Sequence, residues 1–208
     1  NVRNFCERYS INFKSLKPIK NDASKRKYYR FTNNNKKLLL MDSSLEKDSL
    51  VNFIKISKWL KFNYFSSPKI YTKDENLGFL VIEDFGDTKY SILLKKEKKK
   101  KKFYYKQAIK LLILLSKKRK PSFIDNYDHQ ILKRELDIYI KWGLSITKKK
   151  KALKDWDRIW TSLLNKISYK KTSVVLRDFH VDNIFFLKNR DKLKKIGLID
   201  FQDSYLEN

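Results

Sequence analysis

The chain has 208 residues and a net charge of +26, from 49 Lys and Arg against 23 Asp and Glu. Its 41% hydrophobic and 14% aromatic residues suffice for a buried core, which excludes disorder over most of its length. One cysteine excludes an internal disulfide, the longest apolar run (residues 111–115) is too short to span a membrane, and no signal-peptide pattern opens the chain, so we expect a cytoplasmic protein without a membrane span.

The first part of the chain has the pattern of a β-rich segment that carries one long helix. Residues 2–9 favour a short helix. Ser43 and Glu46 stand three apart, the spacing of a capping box, and the apolar residues that follow at helical intervals predict a helix over 46–62. Runs rich in β-forming residues predict five strands, at residues 16–19, 27–31, 38–41, 69–72 and 78–82.

After Asp84-Phe85-Gly86-Asp87 the apolar period changes from two to 3.6, which predicts a lobe boundary between 1–86 and 87–208. The lysine runs 98–102 and 148–151 are interpreted as solvated loops that join helices. Three apolar stripes are expected in the core: Tyr104, Ala108, Leu111, Leu112 and Leu115; Leu132, Leu136, Tyr139 and Ile140; Leu153, Trp156, Trp160, Leu163 and Ile167. All four tryptophans, Trp59, Trp142, Trp156 and Trp160, are expected there too. Short buried strands are predicted at 174–176, 184–187 and 196–199.

Two polar motifs adjoin these last strands: Arg177-Asp178-Phe179-His180-Val181-Asp182-Asn183 and Ile199-Asp200-Phe201-Gln202-Asp203. Phosphoryl transfer needs a carboxylate to receive a proton, ligands for Mg²⁺ and positive groups around the phosphates. Asp178 and Asn183 have the spacing of a kinase catalytic loop, and Asp200 follows a predicted strand as a second metal carboxylate must. Oxygen ligands in small number suit Mg²⁺. Each residue alone would fit a turn; together they predict a phosphotransferase site, with His180 bracing the loop.

These motifs resemble the aminoglycoside phosphotransferase and choline kinase superfamily, whose catalytic loop runs His-x-Asp-x-His-x-x-Asn. Segments 21–30, 39–42 and 82–87 extend the resemblance, which is greatest to the bacterial anomeric kinases of N-acetylmuramate and N-acetylglucosamine. The resemblance implies an α+β, protein-kinase-like fold with a β-rich N-terminal lobe and a mainly helical C-terminal lobe. Because the chain stops five residues after Asp203, we expect the C-terminal lobe to be truncated.

The resemblance also implies a role for each matched residue. Asp178 would be the catalytic base, and Asn183 and Asp200 would be ligands of Mg²⁺. The cofactor is ATP, and the positions implied to hold it are Asn21, Asp22, Ala23, Ser24, Lys25 and Arg26 over the phosphates and the backbone of Glu83, Asp84 and Phe85 at the adenine. Supporting positions are Arg177, His180 and Asp203. The implied reaction is phosphorylation of the anomeric hydroxyl of an amino sugar in cell-wall recycling, by a monomer.

The chain departs from the family pattern at three places. Leu176 stands where the family usually has His. The phosphate-covering turn has no glycine, with Asn21 where Gly is expected, although Asn tolerates positive φ better than most residues. Met41 falls at the strand position where a lysine would grip phosphates. The candidates to replace that lysine are Lys25, Arg26 and Arg30.

Other functions stay open at this stage. The same fold could act on an aminoglycoside or a choline-like alcohol. A net charge of +26 with two lysine runs also fits a polyanion-binding protein, nucleic acid included, in which the kinase motifs are relics. The excess is almost all lysine and accompanies abundant Asn, Ile, Phe and Tyr, which favours codon bias over a binding surface. An inactive truncated kinase is the last alternative.

Overall fold

The computed structural model of the protein describes residues 1–20, 25–143, 146–166 and 173–207. Packing divides the chain into two units, Asn1–Leu114 with Leu176–Asp203 and Leu115–Val175 with Ser204–Asn208. The lobe boundary expected after residue 86 stays a prediction. The helices are α1 (Val2–Arg8), α2 (Lys47–Phe62), α3 (Tyr90–Lys96), α4 (Lys101–Ser116), α5 (His129–Ile138) and α6 (Ile146–Lys166). The strands are β1 (Lys17–Ile19), β2 (Lys27–Asn33), β3 (Lys36–Asp42), β4 (Ile70–Asp74), β5 (Phe79–Glu83), β6 (Asn126–Tyr127), β7 (Val174–Val175), β8 (Ile184–Phe186), β9 (Ile196–Leu198) and β10 (Tyr205–Glu207).

A five-stranded antiparallel sheet forms the first unit's N-terminal part, in the order β1-β2-β3-β5-β4. The five strands predicted from the sequence are all present. Between β2 and β3, Asn34 and Asn35 both adopt positive φ, 47° and 59°. Asparagine is among the few residues that tolerate this conformation, which a tight hairpin needs.

The sheet is covered by apolar side chains from helix α1. Phe5 and Cys6 are fully buried there, and Phe5 packs on Phe79 with ring centroids 5.1 Å apart. The same cluster includes Ile11, Phe31, Leu38, Leu40 and Val81. Helix α2 buries its own apolar face, and Phe53 on that face stacks on Phe201 at 5.0 Å. Phe201 directly follows Asp200, so this stacking anchors one of the predicted site motifs.

The start of helix α2 differs from the predicted capping box. Glu46 is the N-cap residue, but its side chain caps no backbone N–H. Instead, the Glu46 carboxylate faces Arg26, with Oε2 3.8 Å from Nε. The Glu46 carboxylate therefore pairs with Arg26 instead of capping the helix, and the predicted capping box does not form.

A short hairpin, β8 with β9, packs on the segment between α2 and β4. The Leu198 N–H donates to the Ser66 carbonyl at 2.8 Å, and the Ser66 hydroxyl donates to the Lys194 carbonyl at 2.7 Å. Gly197 lies so close to Phe85 that a Cβ on it would be 2.7 Å from Phe85 Cε2. These contacts fix the hairpin, whose open end carries both Asn183, just before β8, and Asp200, just after β9.

The second unit combines helices α5 and α6 with a small sheet in the order β6-β10-β7. Strand β10 is parallel to β6 and antiparallel to β7. Lys133 on α5 pairs with Asp137 at 2.5 Å and with Asp157 on α6 at 2.6 Å. The strand predicted at 174–176 is present as β7, whereas β6 and β10 were not predicted.

Two predictions for the helical regions are wrong. The lysine runs are not loops: residues 148–151 lie within α6, and the 98–102 run is a short 3₁₀ turn leading into α4, because lysine is a good helix former. The apolar stripes are only partly buried. Trp142 is 77% exposed, and Leu153, Leu163 and Tyr139 are also exposed, on helix faces that the described chain does not cover. Ile167 lies outside the described residues.

No helix within the described ranges is both long enough and apolar enough to cross a membrane.

Candidate functional site

The segment that precedes β8 is a tight succession of turns. The Asp178 N–H donates to the Leu176 carbonyl at 2.7 Å, the His180 N–H to the Asp178 carbonyl at 3.0 Å, and the Asn183 N–H to the His180 carbonyl at 2.9 Å. Arg177 begins these turns with a positive φ of 58°, uncommon for a residue with a side chain. The turns therefore fix the backbone position of Asp178.

Asn183 connects the two motifs predicted from the sequence. Its amide nitrogen donates to the Asp178 carbonyl at 3.1 Å and to Asp200 Oδ2 at 3.3 Å, and it lies 3.1 Å from His180 Nε2. The Ile199 N–H returns a backbone bond to the Asn183 carbonyl at 3.2 Å. His180 also accepts from the Asp182 N–H through Nδ1, at 3.3 Å. A neutral imidazole has one acceptor nitrogen, so in either tautomer His180 accepts one of these two hydrogen bonds.

Asp200 lies just beyond β9 with a positive φ of 58°. Aspartate visits this region more readily than most residues, but the conformation still carries strain of order 1–3 kcal/mol, of the kind that concentrates at functional sites. Its Oδ1 accepts from Arg26 Nη2 at 3.0 Å and from Gln202 Nε2 at 2.8 Å. Gln202 also donates to Asp203 at 3.1 Å, so the carboxylates of this motif share one amide.

Arg26 brings the start of β2 to this motif. Its side chain is only 8% exposed, and it lies between Asp200 and Glu46. Nearby, burial raises the pKa of the Tyr28 hydroxyl; Arg26 opposes this rise, whereas the carboxylates of Asp200 and Glu46 add to it. One guanidinium group therefore compensates two part-buried carboxylates.

The structure separates the three basic residues that could replace the missing strand lysine. Met41, at the lysine position, is fully buried. Lys25 is exposed. Arg30 is held away from the site by Asp84, with Nε 2.6 Å from Oδ2, and by Asp87 at 2.9 Å. Only Arg26, of the three, contacts the Asp200 carboxylate.

A polar cavity of about 610 Å³ opens over these groups. Its walls carry the carboxylates of Asp178 and Asp200, and the other lining residues are Arg26, Leu45, Glu46, Lys47, Asp48, Ser49 and Asp203. Five carboxylates against two basic side chains make this wall a suitable place for a cation.

The donor set fits Mg²⁺ in particular. Within the described ranges, no group of three or more His, Cys, Asp and Glu side chains is arranged to hold a metal by itself. Asp200 offers a carboxylate, and Asn183 offers its amide oxygen, because the amide nitrogen makes the contacts given above. Mg²⁺ commonly keeps several waters and takes one or two protein carboxylates together with substrate phosphates.

The other predicted site residues lie elsewhere in the first unit. Glu83 ends β5, where it accepts from Arg190 at 2.5 Å and from the Lys69 N–H at 3.1 Å. Asp84 accepts from the Gly86 N–H at 2.8 Å, and Phe85 lies beneath the Arg190 guanidinium at 5.3 Å. None of the three lines the 610 Å³ cavity. The remaining predicted positions, Asn21, Asp22, Ala23 and Ser24, lie outside the described residues.

Two residues at the site, Glu46 and Gln202, were not among the predicted site residues. Glu46 was interpreted as part of a capping box, and its position three residues after Ser43 gave no sign of a partner twenty residues earlier. Gln202 lies inside the predicted 199–203 motif. Its side chain is buried and donates to Asp200, which the sequence does not indicate.

The chain is similar in sequence to known phosphotransferases. The profile of the family described as "Phosphotransferase enzyme family" matches residues 15–207. The N-acetylmuramate/N-acetylglucosamine kinase of Caulobacter vibrioides is 29% identical over 165 residues, covering 74% of this chain and 46% of that protein. The kinase of the same name from Neisseria meningitidis serogroup B is 28% identical over 192 residues, covering 88% of this chain and 55% of the relative. The chain therefore spans about half the length of the curated relatives it matches.

Solved structures share the fold at low sequence identity. A thermostable mutant of the aminoglycoside phosphotransferase APH(4)-Ia, in its apo form, superposes with a TM-score of 0.69 at 9% identity, covering 99% of this chain and 72% of that one. The streptomycin–ATP–APH(2")-IIa ternary complex gives a TM-score of 0.63 at 18% identity, covering 100% and 71%. The predicted α+β, kinase-like fold and the predicted superfamily resemblance are confirmed.

Proposed function

Because this chain belongs to the phosphotransferase enzyme family, we propose that it transfers the γ-phosphoryl group of ATP to a hydroxyl of a small molecule. The observation that carries the proposal is that Asp178, Asp200 and Arg26 line one polar cavity, while Asn183 connects the two aspartates through its amide nitrogen. If each residue only formed a turn, there would be no reason for Arg26 and Asp200, 174 positions apart in the chain, to meet at this cavity.

In the proposed reaction, Asp178 is the general base. Its carboxylate lines the cavity and is exposed, so it can receive the proton of the acceptor hydroxyl. The acceptor oxygen then bonds to the γ-phosphorus, the bond from that phosphorus to the bridging oxygen breaks, and ADP leaves. Asn183 and His180 keep Asp178 in place through the contacts to its backbone.

Arg26 supplies the positive charge that the family usually draws from a strand lysine. Its guanidinium is anchored by Asp200 and Glu46, which leaves it in the cavity wall, where a forked donor suits phosphate oxygens. Asp200 and Asn183 would hold Mg²⁺, which when bound neutralises charge on the phosphates. The turn at 21–26 would cover the phosphates, and the backbone of Glu83, Asp84 and Phe85 would hold the adenine.

Leu176, in place of the usual His, is compatible with this proposal. The Asp178 N–H bonds to the Leu176 carbonyl at 2.7 Å, a contact that does not depend on the side chain. The leucine side chain is itself buried. A buried apolar group and a backbone bond can therefore hold the catalytic loop where an imidazole would otherwise contribute a hydrogen bond worth about 0.5–1.5 kcal/mol.

The acceptor we propose is the anomeric hydroxyl of an amino sugar, giving a sugar 1-phosphate for cell-wall recycling. Support comes from the names of the curated relatives, N-acetylmuramate/N-acetylglucosamine kinases. The alternative acceptors, an aminoglycoside or a choline-like alcohol, belong to the same reaction class.

The test follows ADP release by purified protein with ATP and Mg²⁺ against a panel of N-acetylmuramate, N-acetylglucosamine, an aminoglycoside and choline. We expect an amino sugar to stimulate release to a turnover of about 1–100 per second, and Asp178→Asn to abolish the stimulation. The matched control is Asp182→Asn, an exposed carboxylate of the same loop. The proposal would be contradicted if the Asp178→Asn and Asp182→Asn variants released ADP at equal rates. If only another acceptor stimulated ADP release, that acceptor would take the place of the amino sugar as the proposed substrate.

A further inference from the structure

A second cavity of about 430 Å³ lies on the first unit, at the end of α2 and beside β4 and β5. It shares no lining residue with the cavity over Asp178 and Asp200. Its walls include Lys61, Lys69 and Arg190, with Glu83 as the acidic lining residue. The cavity is therefore distinct from the cavity over Asp178 and Asp200, although its lining residue Glu83 also belongs to the segment whose backbone is proposed to hold the adenine. It carries an excess of two positive charges.

Both carboxylate oxygens of Glu83 are already engaged. Oε1 accepts from Arg190 Nη2 at 2.5 Å, and Oε2 accepts from the backbone N–H of Lys69 at 3.1 Å. Glu83 thus compensates about one of the three cations. The ammonium groups of Lys61 and Lys69 remain as charges for which the cavity wall supplies no second carboxylate.

Lys61 is the group most affected by this excess. Burial lowers its pKa to about 8, Glu83 opposes the change, and the neighbouring charges of Arg190 and Lys69 add to it. An anion that enters the cavity would stabilise the charged form of this half-buried ammonium group, which is otherwise surrounded by like charges.

The wall around these charges is held by contacts within the first unit. The hydroxyls of Ser57 and Ser67 are buried and lie 2.9 Å apart, and Ser57 also donates to the Pro68 carbonyl at 3.2 Å. On the other side, Arg190 is fixed both by Glu83 and by the ring of Phe85. Two lining residues of the cavity, Ser67 and Arg190, are therefore held by contacts within the first unit, whereas Lys69 is exposed at its mouth.

An aromatic side chain stands beside the charges. Tyr71 is 41% exposed and lines the cavity, with the Lys69 ammonium 5.1 Å from the centre of its ring. A ring-bearing ligand could pack on Tyr71 while its charged group meets the basic residues. A volume of about 430 Å³ also exceeds what a bare inorganic anion fills.

From these observations we propose that the cavity binds a small phosphate monoester. The dianion meets Lys61, Lys69 and Arg190, and the organic part packs against Tyr71. A dianion matches the two uncompensated charges, and ammonium groups next to a guanidinium are the usual donors to phosphate oxygens. Binding needs no phosphoryl transfer, so it does not depend on the function proposed for the other cavity.

The test uses glucose 1-phosphate as probe, with glucose as the uncharged control, in titration calorimetry at pH 7 and low salt. We expect binding of the phosphate ester but not of glucose, and at least a tenfold loss of affinity in Lys61→Met and in Lys69→Met. Lys58→Met removes an exposed charge from the same helix and should bind like the wild type. Asp178→Asn should bind normally as well.

Competitive acylation provides a second measurement at the site itself. A bound dianion raises the pKa of Lys61, so the probe should slow acetylation of Lys61 by acetic anhydride at pH 7 and leave Lys58 unchanged, as read by peptide mass spectrometry. The proposal is overturned if Lys61→Met binds glucose 1-phosphate as tightly as the wild type, if neither protein binds it, or if Arg26→Met alone abolishes binding, because the ester would then occupy the other cavity.

Discussion

Replacing Arg26 by methionine tests the contact between the two chain segments that form the first unit, Asn1–Leu114 and Leu176–Asp203. The side chain is 8% exposed, and its partners Asp200 and Glu46 are 35% and 29% exposed. Removal of the guanidinium leaves two part-buried carboxylates without their cation. A fully buried pair broken in this way costs about 3–5 kcal/mol and an exposed pair under about 1 kcal/mol. We therefore expect Arg26→Met to lower the free energy of unfolding by about 2–3 kcal/mol.

Thermal unfolding followed by circular dichroism measures this loss. For a chain of this length, about 2–3 kcal/mol corresponds to a melting temperature lower by about 4–12 °C. The control is Arg158→Met, because Arg158 also pairs with a carboxylate, Asp155 at 2.9 Å, but both side chains are exposed, by 78% and 67%; it should cost less than about 1 kcal/mol. Mg²⁺ should restore more stability to Arg26→Met than to the wild type. Equal melting temperatures of the two variants would refute the reasoning.

Three further results are expected. Asp178→Asn should lower kcat by about 10²–10⁴-fold without changing the melting temperature, since an exposed base contributes to proton transfer and not to packing; an unchanged kcat would count against its role. Gly197→Ala should cost about 1–3 kcal/mol and raise the KM for ATP, because the new Cβ would lie 2.7 Å from the Phe85 ring; full stability would contradict the close packing. Lys61→Met should stabilise the protein at pH 7 by about 1 kcal/mol after allowance for partial exposure, relative to Lys58→Met. The pKa of Lys61 is lowered to about 8 from 10.5, so the buried charge destabilises the folded state fully below pH 8, and this destabilisation disappears as the pH rises towards 10.5. The stabilisation by Lys61→Met should therefore be smaller at pH 10 than at pH 7. A stabilisation that does not depend on pH would refute this explanation.

Local patterns in the sequence predicted most of the first unit correctly. Runs rich in β-forming residues located all five strands of its sheet, and the asparagines at 34 and 35 fit the positive φ of both positions. Strand pairs and hairpins depend mainly on neighbours along the chain, which a sequence displays directly. The two site motifs were also visible, because Asp178 and Asn183 lie on one short loop.

The rest depended on contacts between distant positions. Arg26 reaches Asp200 across 174 positions of the chain, so no local pattern separates it from Lys25 or Arg30. Glu46 follows a spacing that also fits a helix cap, and the attraction of a guanidinium decides between the two.

Two predictions that relied on residue type alone, for the lysine run at 148–151 and for Trp142, were wrong. The lysine run at 148–151 has the look of a loop, but lysine favours helices and the run lies inside α6. The exposed Trp142 shows the converse, since an apolar residue at a helical interval is buried only where another element covers that face.

We propose that this protein transfers phosphate from ATP to the anomeric hydroxyl of an amino sugar, with Asp178 as the base. Phosphorus NMR of a reaction with ATP, Mg²⁺ and N-acetylglucosamine or N-acetylmuramate tests it most directly. We predict a phosphate monoester whose phosphorus couples to the proton on C1, formed by the wild type and by Asp182→Asn but not by Asp178→Asn. Release of inorganic phosphate alone, an ester on another hydroxyl, or equal product from Asp178→Asn would contradict the account.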